Sequence, residues 1–201
     1  MEIISGRAVT VQDVKQALEL DRLVYGEQYQ STLERILASL AVNPDVHIMV
    51  KDNGRIVAYT NISPVTDEAY ALIKSGSFVD TGLEPHMLVP YNKTRLHSVY
   101  FSSAVVHPDY QNGDMFFVVY NAVMNKLLAL SGDGIFIRRI VADAVSDKGK
   151  RLCGLMGMKK VKDSGHDSML YEVEMLPVPG FRVVSEVTKK LFEVYSNKGG
   201  A

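Results

Sequence analysis

Apolar side chains recur along the chain with two different spacings, and each change of spacing predicts a new element. Residues 3–9 alternate as a strand does, and Thr10 with Asp13 then precedes apolar residues at helical spacing, as at a capped helix start. Ser31 stands three residues before Glu34, which is the spacing of a capping box and predicts the start of a second helix. The N-terminal part is therefore predicted as a strand followed by two helices.

A β-hairpin and an irregular segment are predicted next. Two short apolar runs, residues 47–51 and 55–62, are separated by Asp52-Asn53-Gly54, and both Asn and Gly tolerate a positive φ. Residues 64–94 hold a short helix headed by Thr66 and then a loop rich in glycine and proline. Loops this long inside a compact domain are usually functional, so this insertion is a candidate lid. Its titratable residues include Glu68, Asp80, Glu84 and His86.

The second half of the chain predicts a strand that turns into a long buried helix. Residues 95–107 form a β-rich apolar run that ends at Pro108, which cannot continue a central strand. Residues 114–130 are apolar on almost every side, so this helix must pack against a sheet over a broad face. The order predicts an α/β fold with a mixed sheet. The remaining predicted elements are a strand over 135–145, a short helix capped by Ser146, a hairpin over 158–175 and an amphipathic helix beyond Pro177.

Size and charge restrict the class of protein. With 201 residues, the chain is expected to form one domain over residues 1–176 and a helical extension over 177–201. Its 22 basic and 23 acidic residues give a formal net charge of -1, so no overall charge attracts nucleic acid or an anionic membrane. No secretory signal is visible, and the apolar stretch over 115–130 falls short of the ~20 residues that span a bilayer. We therefore expect a cytoplasmic protein without a nucleic-acid or membrane partner.

The segment 103–114 carries the most chemical information. Its strand stops at Pro108 and turns through Asn112-Gly113 into the long buried helix. A helix N-terminus after such a turn presents unpaired backbone N–H groups and the positive end of the helix dipole, which suits a phosphate. Every strand-to-helix connection needs a turn, so a purely structural Asn-Gly turn is the alternative.

These residues resemble the GCN5-related N-acetyltransferase (GNAT) family. The family pattern V-x-P-x-x-[RQ]-x-x-G-x-[GA] is similar to the run from Val106 through Pro108 to Gln111, and its later N-x-x-A-x-x-L-Y-x-x-x-G-F is similar to residues 146–158. The resemblance covers about residues 3–175 and is best over 96–175. It implies a central twisted mixed sheet flanked by helices, to which the C-terminal helix would be an addition.

The resemblance also implies an activity, the transfer of an acyl group, usually acetyl, from acetyl-CoA to a primary amine of a small molecule or protein. The transfer would be a direct attack in a ternary complex. The strand before Pro108 would hold the pantetheine arm and the thioester carbonyl, and residues 111–116 would form the pyrophosphate loop. The implied cofactor-binding residues are Ala104, Val105, Val106, Gln111, Asn112, Gly113, Asp114, Met115, Phe116, Ser146 and Lys148.

The loop departs from the family pattern at two positions. Asp114 and Phe116 stand where the family has Gly and Gly or Ala, and Gly113 comes one place early. A carboxylate and a bulky ring would oppose a pyrophosphate there, unless the loop has shifted its register. The alternative function is therefore a catalytically impaired GNAT-fold module that senses a ligand or binds a protein partner.

Three residues are candidates for proton transfer. Cys153, the single cysteine, can form neither an internal disulfide nor a sulfur-ligated metal site, so no metal is expected. It stands where the family commonly has a tyrosine that acts as general acid, and a buried small apolar side chain is the alternative. His97 is the candidate general base because histidine titrates near neutrality, with Tyr100 as second choice, and a structural histidine is the alternative.

Two further features of the sequence concern the binding of a cofactor and of a second copy of the chain. Eight Lys or Arg residues between positions 138 and 162 predict a basic band that suits an anionic cofactor, or else a solvated face. The C-terminal helix could pack on its own domain or on a second copy, which leaves a homodimer as a prediction.

Overall fold

The computed structural model describes residues 1–26, 31–78, 82–164 and 168–200. A seven-stranded sheet forms the centre, in the order β1-β2-β3-β4-β5-β7-β6, and β4 and β5 are its one parallel pair within these residues. The predicted mixed α/β sheet is therefore confirmed. The strands are β1 (Glu2–Ser5), β2 (His47–Asp52), β3 (Arg55–Val65), β4 (His97–Val106), β5 (Ile137–Ala144), β6 (Lys159–Asp163) and β7 (Met169–Glu174). The helices are α1 (Val11–Tyr25), α2 (Leu33–Val42), α3 (Asp67–Lys74), α4 (Met115–Gly132), α5 (Asp147–Leu155) and α6 (Glu186–Gly199).

Local sequence signals place most element boundaries. The predicted cap at the start of α1 is confirmed, and Thr10 and Asp13 form a capping box there. The hairpin turns at Asn53 and Gly54, whose φ angles are 48° and 78°. The predicted cap of α2 is wrong by one residue, because the side chain of Thr32, not of Ser31, accepts the amide of Arg35.

The insertion over 64–94 is more regular than the sequence indicates. Its helix α3 is capped by Thr66, and the buried side chains of Tyr70 and Ile73 pack in a cluster with β4 and β5. A β-bridge between Val65 and Leu88 ties the end of the insertion back to β3. This part of the insertion therefore packs against the sheet as part of the core. Glu68 and His86 are exposed, and Asp80 lies outside the described residues.

The C-terminal helix belongs to the main core. Leu191 and Tyr195 are fully buried in the cluster that α4 forms with the sheet, and the Tyr195 hydroxyl accepts the amide of Ile137 at 3.0 Å. Of the two packing partners that the sequence leaves open for this helix, the structure shows its own domain. The homodimer stays a prediction.

Helix α4 is long and apolar enough to cross a membrane by length and composition alone, with a mean hydropathy of 1.3. Half of it is buried inside the fold, against β3 and α6. Burial of this kind is what the core helix of a domain shows.

Candidate active site

The two central strands separate before they end. Strands β4 and β5 pair from His97 opposite Ile137 to Phe101 opposite Ala142. Beyond that point β4 runs on to Val106 and pairs only with β3. Because the β5-facing edge of this last part has no strand partner, its backbone groups are available to a ligand.

A β-bulge lies at the point of separation. Asn61 of β3 pairs with Ser103, and Ile62 pairs with Phe101, so Ser102 has no opposite residue. Bulges bend a strand and change which side chains face each way, and they are common next to active sites. The bulge lies one residue beyond Phe101, where the pairing of β4 with β5 ends.

A cleft of about 190 Å³ extends from this opening across the face of the sheet that α1 and α2 cover. Its walls come from α1, α2, the insertion, β2 to β5 and the start of α5. The residues that line it include Asp21, His47, Tyr59, Asn61, Tyr100, Ser103, Ala104, Ser146 and Cys153.

The predicted pyrophosphate loop leads into α4 beside this cleft. Among the described residues, the amides of Asn112, Asp114, Met115 and Phe116 donate no hydrogen bond. Such amides, together with the helix dipole, form an anion-binding arrangement. The Gln111 side chain donates to the Val106 carbonyl at 2.9 Å and so fixes the loop to the end of β4.

The two departures from the family loop have different consequences. The Phe116 ring is partly buried and packs against the main core, so its bulk is taken up by the fold. Asp114 is exposed at the N-cap of α4, and its side chain caps no amide there. The carboxylate of Asp114 is therefore the group that would oppose an anion at this helix end.

The start of α5 faces the same loop. The Ser146 hydroxyl caps α5 by accepting the amide of Gly149 at 3.1 Å, as the sequence predicts. Lys148 Nζ donates to Gln111 Oε1 at 2.6 Å, which places a cation beside the loop. Ala104 lines the cleft, whereas Val105 does not line it and packs in the buried cluster that α1 forms with β2 and β3.

The structure separates the three predicted proton-transfer residues. Cys153 and Tyr100 line the cleft, and both are buried, at 2% and 1% exposure. Burial raises the pKa of the Cys153 thiol to about 12. His97 does not line the cleft; its Nε2 lies 2.9 Å from the Asn92 carbonyl oxygen, and its ring packs on Tyr91. The structure thus gives His97 the structural surroundings that the sequence left as its alternative.

The eight basic residues predicted as one band are distributed over several surfaces. Lys148 faces the loop, whereas the guanidinium of Arg139 lies 4.0 Å from the centre of the Tyr70 ring. Lys160 pairs with Asp163 at 3.3 Å on the edge strand β6. The strand and helix periods separate residues that are adjacent in sequence.

Sequence reasoning missed a polar group at the far end of the cleft. Tyr59 donates a hydrogen bond to Asp21 Oδ1, and burial raises the pKa of the Asp21 carboxyl to about 6 although this bond lowers it. His47 is buried, and burial lowers its pKa to about 4, so its ring is neutral. One signal was available: Asp21 follows Val14 and Ala17 at helical spacing on the buried face of α1. No group of three metal-binding side chains occurs in the described part of the chain.

Solved structures of low sequence identity share this architecture. The loading GNAT-like domain of CurA from Lyngbya majuscula is 13% identical, with a TM-score of 0.64 over 86% of this chain and 96% of that chain. The GNAT-like decarboxylase GphF, solved in complex with isobutyryl-CoA, is 14% identical, with a TM-score of 0.62 over 86% and 98%. An N-acetyltransferase from Staphylococcus aureus is 12% identical, with a TM-score of 0.54 over 86% and 97%. No protein-family model and no curated protein sequence matches the chain. The sheet order and these likenesses together show that the chain has the GNAT fold.

Proposed function

We propose that this protein is an acyl-CoA-dependent N-acyltransferase that moves an acetyl group from acetyl-CoA to a primary amine. One observation carries the proposal: the opening between β4 and β5 lies beside a helix N-terminus with free amides and a nearby lysine. An extended thioester with phosphates at one end needs both features, in this relative position.

Two groups of residues would bind two different parts of coenzyme A. The free amides of Asn112, Asp114, Met115 and Phe116 and the Lys148 ammonium would bind its phosphates. The edge of β4 near Ala104 and Val106 that has no strand partner would hold the amide groups of its pantetheine arm, as one strand binds another, although the Val106 carbonyl already accepts from Gln111. Bound there, acetyl-CoA supplies an activated acyl group at the point where the cleft opens.

Direct attack by the amine is favoured over a covalent acyl-enzyme. A cysteine acts as a nucleophile only as a thiolate, and the raised pKa of Cys153 keeps this thiol protonated at neutral pH. The cleft continues past the β4–β5 opening toward Asp21 and Tyr59, which leaves room for a second substrate beside the first. Both features support a ternary complex.

The structural neighbours support the use of an acyl-CoA in general. GphF, a GNAT-like decarboxylase, was solved with isobutyryl-CoA, and the Staphylococcus aureus protein is an N-acetyltransferase. Because their identity to this chain is only 14% and 12%, the identity of the acyl group and of the acceptor is inferred from the site itself and is tested by experiment.

The test measures binding and turnover separately. Acetyl-CoA at about 100 times its Kd should stabilise the folded protein by ~2.7 kcal/mol, which appears as a rise in Tm. Turnover is followed as acetyl-CoA-dependent release of free thiol with a panel of primary amines. No shift at millimolar acetyl-CoA would overturn the proposal. A shift with acetyl-CoA but no thiol release with any amine would favour the alternative, a GNAT-fold module that binds a ligand without catalysis.

A further inference from the structure

An acidic side chain lies in the cleft without a cationic partner among the described residues. Asp21 lines the cleft from α1, and the hydroxyl of the buried Tyr59 donates to its Oδ1. Within residues 1–26, 31–78, 82–164 and 168–200, no Lys, Arg or His forms an ion pair with Asp21. Its second carboxylate oxygen, Oδ2, accepts no hydrogen bond from a described residue.

Another acid on the same helix shows what a satisfied carboxylate looks like in this fold. Asp13 Oδ1 lies 2.7 Å from Lys51 Nζ, and its other oxygen accepts the amide and hydroxyl of Thr10. Burial raises the pKa of Asp13, but these bonds together lower it below its ordinary value. For Asp21, burial is the larger effect and the pKa is raised to about 6. At neutral pH Asp21 is therefore an ionised carboxylate that pairs with no cation of the described residues; Arg35, which also lines the cleft, pairs with Glu84 at 2.9 Å.

Further hydrogen-bonding groups lie on the same face of the sheet. His47, Asn61 and Ser103 are aligned across β2, β3 and β4 by direct strand register, and all three line the cleft. Tyr59 stands two residues before Asn61 on β3, so its side chain points to that face as well. Asn61 Oδ1 and His47 Nδ1 are buried and have no hydrogen-bond partner in the part of the chain that the structure describes. Unsatisfied polar atoms of this kind carry a cost that a ligand can remove.

We propose that Asp21 and Tyr59 bind a cationic nitrogen of the acceptor that is not itself acylated, so that the substrate is a short diamine or polyamine. This inference rests on the proposed acyl transfer. It adds the substrate class and the residues that select it.

The nitrogen bound by Asp21 is not the nitrogen that reacts, for two reasons. A carboxylate stabilises an ammonium group and so opposes the loss of the proton that attack on a thioester requires. Asp21 is also hydrogen-bonded to Tyr59 of β3, and the residue opposite Tyr59 on β4 is Val105. The opening lies on the other side of β4, which faces β5. With strands ~4.8 Å apart, the two positions differ by roughly 5–10 Å, the span of a short aliphatic diamine.

The test compares two amines of equal length. 1,4-Diaminobutane carries a second ammonium, and n-pentylamine has a methyl group in its place. Wild-type protein with acetyl-CoA should acylate the diamine with a KM roughly tenfold lower than that for pentylamine, the size of one charge-assisted contact. Asp21→Asn should raise the KM for the diamine by a similar factor and leave the KM for pentylamine within about twofold. Glu19→Gln, at an exposed position of the same helix, is the matched control and should change neither.

A binding measurement keeps the inference independent of turnover. 1,4-Diaminobutane should raise the Tm of wild-type protein without acyl-CoA and should do so less for Asp21→Asn or Tyr59→Phe. If the diamine binds but thiol release is absent, the acyltransferase proposal fails and the cation site stands. If wild type does not prefer the diamine, or if Asp21→Asn changes both amines equally, the cation site is wrong.

Discussion

Lys148 Nζ donates a hydrogen bond of 2.6 Å to Gln111 Oε1, and this contact joins the first turn of α5 to the loop before α4. Gln111 in turn donates through Nε2 to the Val106 carbonyl at the end of β4. The end of β4, the loop that follows it and the start of α5, which is 37 positions from Gln111, thereby meet beside the opening between β4 and β5. The lysine supplies the positive charge at this meeting point.

Replacement of Lys148 should weaken the binding of acyl-CoA. Lys148→Gln removes one charge beside the phosphate-binding amides, and we expect the Kd of acetyl-CoA to rise about fivefold, as for one exposed ionic contact. Titration calorimetry at two salt concentrations checks this, because the loss should shrink as salt screens the charge. Lys150→Gln is the control: its ammonium lies 3.4 Å from Asp147 on the same helix. An equal effect of both variants would show a general charge effect and contradict a specific role of Lys148.

Replacement of Asp114 should have the opposite effect. Its exposed carboxylate stands at the N-terminal end of α4, where a bound phosphate would also lie. Asp114→Asn keeps a good N-cap residue and removes the repulsion, so the Kd of acetyl-CoA should fall about threefold to fivefold. Asp133→Asn, at the other end of the same helix, is the control and should leave the Kd unchanged. Unaltered affinity in Asp114→Asn would show that the anion is not bound at this helix end.

The sequence predicts those features that depend on neighbours along the chain. The caps at Thr10 and Ser146 and the turn at Asn53-Gly54 are local, because each is a contact between residues two to four positions apart or a backbone φ preference. Strand and helix periods therefore recover the order of the elements. The central mixed sheet flanked by helices is an expectation from the GNAT resemblance, and the order of strands within it comes from the structure.

The contents of the cleft could not be predicted in the same way. Asp21 meets Tyr59 across 38 positions, and Lys148 meets Gln111 across 37. His97 satisfies the sequence criterion for a base, yet the fold buries it beside Asn92 and Tyr91. Whether a titratable residue faces the cleft or the core depends on tertiary packing, and neither residue type nor spacing contains that information.

Cys153→Ala distinguishes the two roles that the sequence leaves open for this residue. The thiol is 2% exposed, and burial raises its pKa to about 12 from an ordinary value of 9.0, so loss of its proton to another thiolate is unfavourable. We expect the variant to lose about 1 kcal/mol of stability, as for a small buried group, and to keep its kcat within about threefold. A fall in kcat of about 100-fold with unchanged Kd for acetyl-CoA, partly restored in Cys153→Ser, would instead establish the general acid.

The pH dependence of stability should differ in sign between two aspartates of α1. The folded-state pKa of Asp21 is raised from 3.8 to about 6, mainly by burial. Neutral Asp21 therefore stabilises the fold below pH 4, and this stability is lost as the pH rises through about 6. Asp21→Asn lacks that loss, so its Tm relative to wild type should increase between pH 4 and 7.

The folded-state pKa of Asp13 is lowered, because hydrogen bonds from Lys51 and Thr10 outweigh its burial. Its stabilisation is present above its ordinary pKa of 3.8 and is lost as the pH falls, so Asp13→Asn should be less stable than wild type at pH 7, by a difference that shrinks below pH 4. Thermal denaturation of the three proteins from pH 4 to 7 measures both trends. Parallel curves for the two variants would contradict the unbalanced charge assigned to Asp21.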